Sequence, residues 1–335
     1  MVRLLKRHNK AVILSLLALT IAGSLSQGRS RRSTREIFVR GDTKVYALIT
    51  PYMISKSMDQ MQNEATAGRS HFQAVFAKGP DASKNLLSIM TPVKDQGHRG
   101  TCVAFASVAL VEAQVRAAKG SMPNFSEQYI YWASKAIEKV DPNSDGSEPV
   151  DMLKTFERQG TPVQQAWPYE PNPWFADQVN HKDCFNAYKA NPDNVPTECV
   201  TNGDPSAQAK SAPRVTVTHE MEVGSSPEAI VGYIENGIPV EVGLDVYQHA
   251  WSFDNPKSPN FKAGVVEMPA AGDKVIGGHA ILIVGYDKNA QVYLFKNSWG
   301  TNDWAVNSRT PGFGTIPMNY VRKFGQAVVA KVTGI

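Results

Sequence analysis

Cys102 follows the glycine-containing run Gln96-Gly97-His98-Arg99-Gly100-Thr101 and heads an apolar segment that includes Val103, Ala106, Val108, Leu110, Val111, Ala113 and Val115. A thiol at the start of a buried helix meets unsatisfied N–H groups and the positive end of the helix dipole, and both favour thiolate over thiol. The same N–H groups can hold an oxyanion, and the Gln96 amide offers a second donor across the turn. The chain has three cysteines. Cys184 and Cys199 share one polar, proline-containing stretch, so their pairing would leave Cys102 over. An isolated cysteine is most often a small buried helix residue, but the glycine-containing approach argues against that here.

A thiolate needs a proton acceptor. Of the seven histidines, His8 lies in the N-terminal signal segment, and His71, His181 and His219 lie in polar stretches with no supporting motif. His98 is too local to Cys102 to face its sulfur. His249, before Ala250-Trp251, stays a candidate. His279 stands in Ile276-Gly-Gly-His-Ala-Ile-Leu-Ile-Val-Gly285, at the start of an apolar strand and after glycines that let another backbone approach closely. Beside an apolar strand alone, a core histidine would be the default reading. The next strand decides: Val292-Tyr-Leu-Phe-Lys-Asn-Ser-Trp-Gly300 follows a turn at Asp287 to Ala290, so a hairpin sets Asn297 near His279. An amide oxygen that accepts the ring N–H fixes tautomer and ring plane, the task of a carboxylate in serine triads. Trp299 can cover that hydrogen bond and keep water off it.

These groups need elements to hold them. The apolar segment predicts a buried helix that ends near Lys119-Gly120. Ser126 caps a second helix through Ile137, and Val150 to Arg158 makes a third, closed by Gly160. Pro171 to Ala212, rich in Asn, Asp and Pro, reads as loop. Ser226-Pro227-Glu228 opens a helix that Gly237 ends. Pro239 to Val246, Ala280 to Tyr286, Val292 to Lys296 and Gln326 to Val332 read as strands of an antiparallel sheet or barrel. The fold class is therefore α+β, a helical lobe facing a β lobe across a cleft, where ligand sites tend to lie.

Gln96 to Phe105, Gly278 to Tyr286 and Asn297-Ser-Trp-Gly300 together resemble the three active-site segments of papain-like (cathepsin-like) cysteine peptidases, in the family's order. Ser126-Glu-Gln128 and Trp167-Pro-Tyr169 extend the resemblance from about Thr91 to the C-terminus. It implies a two-lobed fold, attack of Cys102 on a peptide carbonyl, an acyl-enzyme, and hydrolysis by water activated at His279. Gly146, Gly278 and Trp299 are the implied substrate-binding residues. No cofactor is implied, and the partner is a protein or peptide substrate. Arg99 stands where the family usually has a disulfide-bonded cysteine, and Val103 where an aromatic residue is usual. The 177 residues from Cys102 to His279 exceed the roughly 130–150 of the family signature, which predicts an insertion within Pro171 to Ala212 that rims or covers the cleft.

Met1 to Lys10 carries four basic residues and no acid, Ala11 to Ala22 is almost wholly apolar, and Gly23 to Ser26 is mostly small. That order reads as a signal peptide over 1–26, too short to span a bilayer, and predicts a bacterial-type secreted or periplasmic protein with no stable membrane insertion. Residues 27–90 read as a short pro-segment or extra strands able to inhibit the enzyme intramolecularly, and 91–335 as the peptidase domain. The first 35 residues hold eight Lys or Arg and no acid; the remaining 27 basic and 31 acidic residues leave the rest net negative. A nucleic-acid partner is therefore not expected. A zinc site from His181, Cys184 and Cys199 lacks a fourth ligand and ranks below a disulfide. Two alternatives share the fold: a binding protein with an occupied cleft, and acyl transfer to an amine.

Overall fold

A computed structural model describes residues 36–40, 43–46 and 81–333, all within one compact unit, Arg31–Ile335. The expected signal peptide and most of the 27–90 segment lie outside the described residues.

The first two strands, β1 (Glu36–Arg40) and β2 (Thr43–Tyr46), form an antiparallel pair. The short β3 (Ser83–Asn85) leads to the helical half. There α1 (Cys102–Lys119) is buried along most of its length and ends on Gly120, whose left-handed φ of 68° suits a residue without a side chain. The second helix, α2 (Glu127–Trp132), is capped by Ser126 Oγ, which accepts from the Tyr129 N–H at 3.1 Å, and runs into a π turn over Ala133–Ile137. Pro149 opens α3 (Pro149–Gln159) and Gly160 closes it.

Residues 171–212 are not the open loop that their composition suggests. They contain α4 (Lys182–Ala190), α5 (Thr197–Thr201) and α6 (Ala207–Ser211), with Cys184 of α4 bonded to Cys199 of α5. The inserted residues pack on the helical half: Trp132 Nε1 donates to Asp204 at 2.6 Å, and Gln128 Nε2 donates to the Thr201 carbonyl at 2.6 Å. Tertiary contacts therefore supply the order that local propensity does not. Because the cysteines are joined, neither is available as a thiolate metal ligand, and His181 instead stacks on Trp174 with ring centroids 3.9 Å apart.

The second half is one antiparallel sheet. Its strands are β4 (Thr216–Glu222), β5 (Val240–Tyr247), β6 (Val275–Asp287), β7 (Val292–Lys296), β8 (Phe313–Pro317) and β9 (Gly325–Thr333), in the order β4-β9-β5-β6-β7-β8, with β3 also paired to β6. Three helices accompany it: α7 (Pro227–Glu235), capped by Ser226, α8 (Pro259–Ala263) and α9 (Met318–Phe324). The buried side of α1 packs against β5, β6 and β9 and joins the two halves in one core through Val108, Leu110, Val111, Val242, Ile281 and Val328. Burial of each such side chain contributes on the order of 1.5–3 kcal/mol. No described helix is long and apolar enough to cross a membrane.

Candidate active site

Cys102 is the first residue of α1, is fully buried, and is not disulfide-bonded. Thr101 occupies the cap position, but its hydroxyl is engaged with Tyr169 Oη at 2.7 Å and takes none of the first-turn N–H groups. The first turn also carries no acidic residue. The positive end of the helix therefore keeps its field for whatever charge develops at Cys102.

His279 lies inside β6, not at its start, opposite Leu244 of β5. The sheet prolongs the strand because β5 supplies ladder partners back to Val275, through Gly277 and Gly278, residues that sequence patterning leaves out of a strand. On its other side β6 pairs with β7 only from Leu282 onward, so Gly278 and His279 have a described ladder partner on the β5 side alone.

The hairpin expectation holds. Leu282 pairs with Lys296, and one residue beyond the strand Asn297 Oδ1 accepts from His279 Nε2 at 2.8 Å. The same oxygen accepts the Ser298 N–H at 2.8 Å, which fixes the amide orientation. With Nε2 donating, Nδ1 is the basic nitrogen, and it has no hydrogen-bond partner. Burial pushes the His279 ring down to about 4, with the Asn297 bond pulling the other way. The resting ring is thus neutral across the neutral range, with the Nδ1 lone pair unprotonated.

Trp299 is 1% exposed, and its ring lies over His279 with centroids 4.5 Å apart and planes 27° from parallel. Trp251 meets the same imidazole edge-on at 6.0 Å. Trp299 was expected among the substrate-binding residues; its contacts place it as cover over the imidazole. His249, the other candidate base, has Nδ1 2.6 Å from Asp254 on the exposed surface.

Gln96 is buried and held from several sides. Its Oε1 accepts from Ser298 Oγ at 2.7 Å, its N–H donates to the Ser298 carbonyl at 2.8 Å, and its Nε2 donates to the Arg99 carbonyl at 2.9 Å. One Nε2 hydrogen remains after the Arg99 bond. Gly146 is committed to the chain's own groups: its N–H lies 3.1 Å from Tyr131 Oη and 3.2 Å from Asp145 Oδ1, and its carbonyl accepts from Lys135. Both backbone groups of Gly146, expected to meet substrate, thus have partners within the chain.

Sequence reading missed a buried polar cluster behind Asn297. Lys94 bridges Glu112 at 2.8 Å and Glu127 at 2.6 Å, Thr91 donates to Glu112 at 2.6 Å, and Lys296 donates to Thr91 at 3.0 Å. Burial lifts Glu127 to about 7 and lowers Lys296 to about 8. The only sequence signal was charge at a helix-interior position, Glu112, and at a strand end, Lys296. Glu241, fully buried on β5, was missed as well: one of its oxygens accepts from Ser107 Oγ at 2.7 Å and the other has no partner.

A cysteine-bearing helix laid against a histidine-bearing antiparallel sheet gives this chain the papain-like α+β architecture. It belongs to the papain family of cysteine proteases, whose family model matches residues 78–311. An uncharacterized peptidase C1-like protein of Acanthamoeba polyphaga mimivirus is 26% identical over 230 residues, 68% of this chain and 64% of that protein. Cysteine proteinase 3 of Entamoeba histolytica is 25% identical over 245 residues, 72% of this chain and 66% of that protein. The chain thus spans slightly less than two thirds of the length of these relatives. Xylellain, a cysteine protease from Xylella fastidiosa, shares the fold with a TM-score of 0.61 at 24% identity, covering 77% of this chain and 88% of that one. These matches come from a virus, an amoeba and a bacterium, and do not carry the bacterial-type, exported part of the sequence reading.

Proposed function

We propose that the chain is a thiol-dependent peptidase with Cys102 as nucleophile, His279 as general base and acid, Asn297 as the group orienting the imidazole, and Gln96 as an oxyanion donor. The observation that carries this reading is the buried 2.8 Å bond from His279 Nε2 to Asn297, which leaves Nδ1 basic and unpartnered on the strand against which the Cys102 helix packs.

In this mechanism the Cys102 proton passes to His279 Nδ1, and the thiolate adds to a peptide carbonyl. The oxyanion is held by first-turn N–H groups of α1 and by the remaining Gln96 Nε2 hydrogen. Collapse expels the amine, which takes the proton from the imidazolium and leaves a thioester. Water then gives a proton to His279 and adds to the thioester, and the carboxylic acid departs as Cys102 regains its proton. Charge on the imidazolium strengthens the Asn297 bond as the reaction proceeds, because charge-assisted hydrogen bonds are roughly twice as strong as neutral ones. Gly278, with one strand edge outside the β7 ladder, is the backbone proposed to meet substrate. Residues 1–26 are proposed to direct export and 27–90 to restrain the enzyme.

The test is release of new N-termini from a denatured protein under reducing conditions. The 27–335 chain is compared with its Cys102→Ala variant, before and after limited proteolysis within 27–90. Cleavage that requires Cys102 and rises after proteolysis is expected. Silence of the intact-thiol chain in both states would refute peptidase activity.

A further inference from the structure

Arg99 lies three residues before Cys102 and is fully buried, yet the oxygens that meet its two terminal nitrogens are neutral and its Nε has no hydrogen-bond partner. Nη1 donates to Gln128 Oε1 at 2.6 Å and to the Glu170 carbonyl at 3.0 Å, and Nη2 donates to the Val200 carbonyl at 3.1 Å. The guanidinium carbon sits 5.3 Å from the ring centroids of both Tyr131 and Tyr169. Arginine is suited to such a place because its planar fork distributes one charge over several donors and stacks on aromatic faces.

One of these contacts, to Val200, reaches the inserted residues directly, and Gln128 relays a second. Val200 and Thr201 close α5, and Gln128 completes the junction by accepting from Arg99 while donating to the Thr201 carbonyl at 2.6 Å. The residue before Val200 is Cys199, which the disulfide ties to α4. At the other end of the same residue, the Arg99 carbonyl receives the Gln96 Nε2 hydrogen bond at 2.9 Å. Arg99 thus runs from a disulfide-anchored element of the insertion to the amide assigned above to the oxyanion.

We propose that Arg99 is a positioning residue: it braces the 96–102 loop against the disulfide-closed insertion and thereby aims the Gln96 amide, so that the insertion supports turnover from outside the reacting groups. The inference rests on the proposed peptidase reading. It carries a redox consequence. A dithiol reductant strong enough to convert the Cys184–Cys199 disulfide to two thiols, itself becoming a disulfide, releases the anchor of Val200 and lowers turnover, although mild reduction keeps Cys102 active.

The experiment is a double-mutant cycle on the active chain, Arg99→Met with Gln96→Ala, reading kcat and KM on a small amide substrate and the rate of Cys102 alkylation by iodoacetamide. Arg99→Met is expected to lower kcat about 10- to 100-fold, less than the roughly 100- to 1000-fold for outright loss of an oxyanion donor, because the Gln96 amide is misaimed and not removed. KM and the alkylation rate should stay within about threefold, since the thiolate is set by the helix and His279. In the Gln96→Ala background the same change should matter less than about threefold, and Arg99→Lys should recover part of the loss. Equal losses in both backgrounds would overturn the proposal, as would an unchanged kcat. If Arg99→Met does not fold, the Cys184→Ser/Cys199→Ser variant decides: a fall in kcat at a constant alkylation rate supports the brace, and an unchanged kcat overturns it. A wild-type chain without amidase activity would instead sink the peptidase reading itself.

Discussion

Replacing Asn297 by alanine tests the heart of the proposed chemistry. Asn297 Oδ1 accepts from His279 Nε2 and from the Ser298 N–H, both at 2.8 Å and both buried. In the resting enzyme the bond joins a neutral ring to a neutral amide, a contact worth about 0.5–1.5 kcal/mol net; against an imidazolium the same contact is worth about 1.5–3 kcal/mol. The difference, about 1–1.5 kcal/mol, acts only as charge develops and corresponds to roughly 5- to 13-fold in rate. The alanine also frees the ring to turn about χ2 and leaves a buried N–H without an acceptor, so the total expected loss in kcat is about 10- to 100-fold. KM should change little, because the hydrogen bonds of Asn297 Oδ1 go to His279 and Ser298. Burial already lowers the His279 ring to about 4 against the opposing Asn297 bond. Without that bond the ring holds a proton less firmly still, whereas Asn297→Asp supplies a carboxylate that holds it more firmly and should retain more activity than alanine. Steady-state kinetics over pH 4 to 9 on a small amide substrate is the assay. An Asn297→Ala kcat within twofold of wild type would refute the orienting role.

Other expectations concern pH and the thiol. Burial, with only the Ser107 bond opposing it, raises the Glu241 carboxyl well above its ordinary 4.5. Above that value the unfolded chain releases a proton that the folded chain keeps, so stability falls as pH rises, by about 1.4 kcal/mol per unit until the folded group ionises. Glu241→Gln mimics the protonated form, and its stability relative to wild type in urea melts should be flat below about pH 4 and grow from there to pH 7; parallel profiles would dismiss the buried-acid account. Iodoacetamide at pH 6 under mild reduction should label Cys102 at least about tenfold faster than the same cysteine in a His279→Ala variant, because only the thiolate reacts. Equal rates in peptide-mapped mass spectra would mean that His279 does not activate it.

Local patterning was enough wherever a residue's role followed from its near neighbours. The buried helix begins at Cys102 and ends at Lys119, Val292–Lys296 is a strand with the bounds read from its residues, and Ser226-Pro227 opens a helix. A short turn between two apolar strands left little freedom in where Asn297 falls relative to His279, so that pair was legible too. The edge strands β4 and β8 were not, because an edge needs only one partner and tolerates polar, glycine- and proline-containing sequence such as Phe313–Pro317.

By itself the sequence determined which groups stand where along the elements: a thiol on a helix N-terminus, an imidazole in an apolar strand, and an amide one residue past the next strand. Tertiary structure alone decided what surrounds those groups. It turned the Asn- and Pro-rich 171–212 region into a disulfide-braced set of helices, committed the Gly146 backbone to Tyr131, Asp145 and Lys135, and laid Trp299 over His279. It also enclosed Arg99 among carbonyls drawn from positions up to 101 residues away and left Glu241 in the core with Ser107 as its hydrogen-bond partner. Periodicity and spacing describe which residues share a face; they carry no information about which distant carbonyl or hydroxyl will meet a buried charge, because that depends on how separate elements dock.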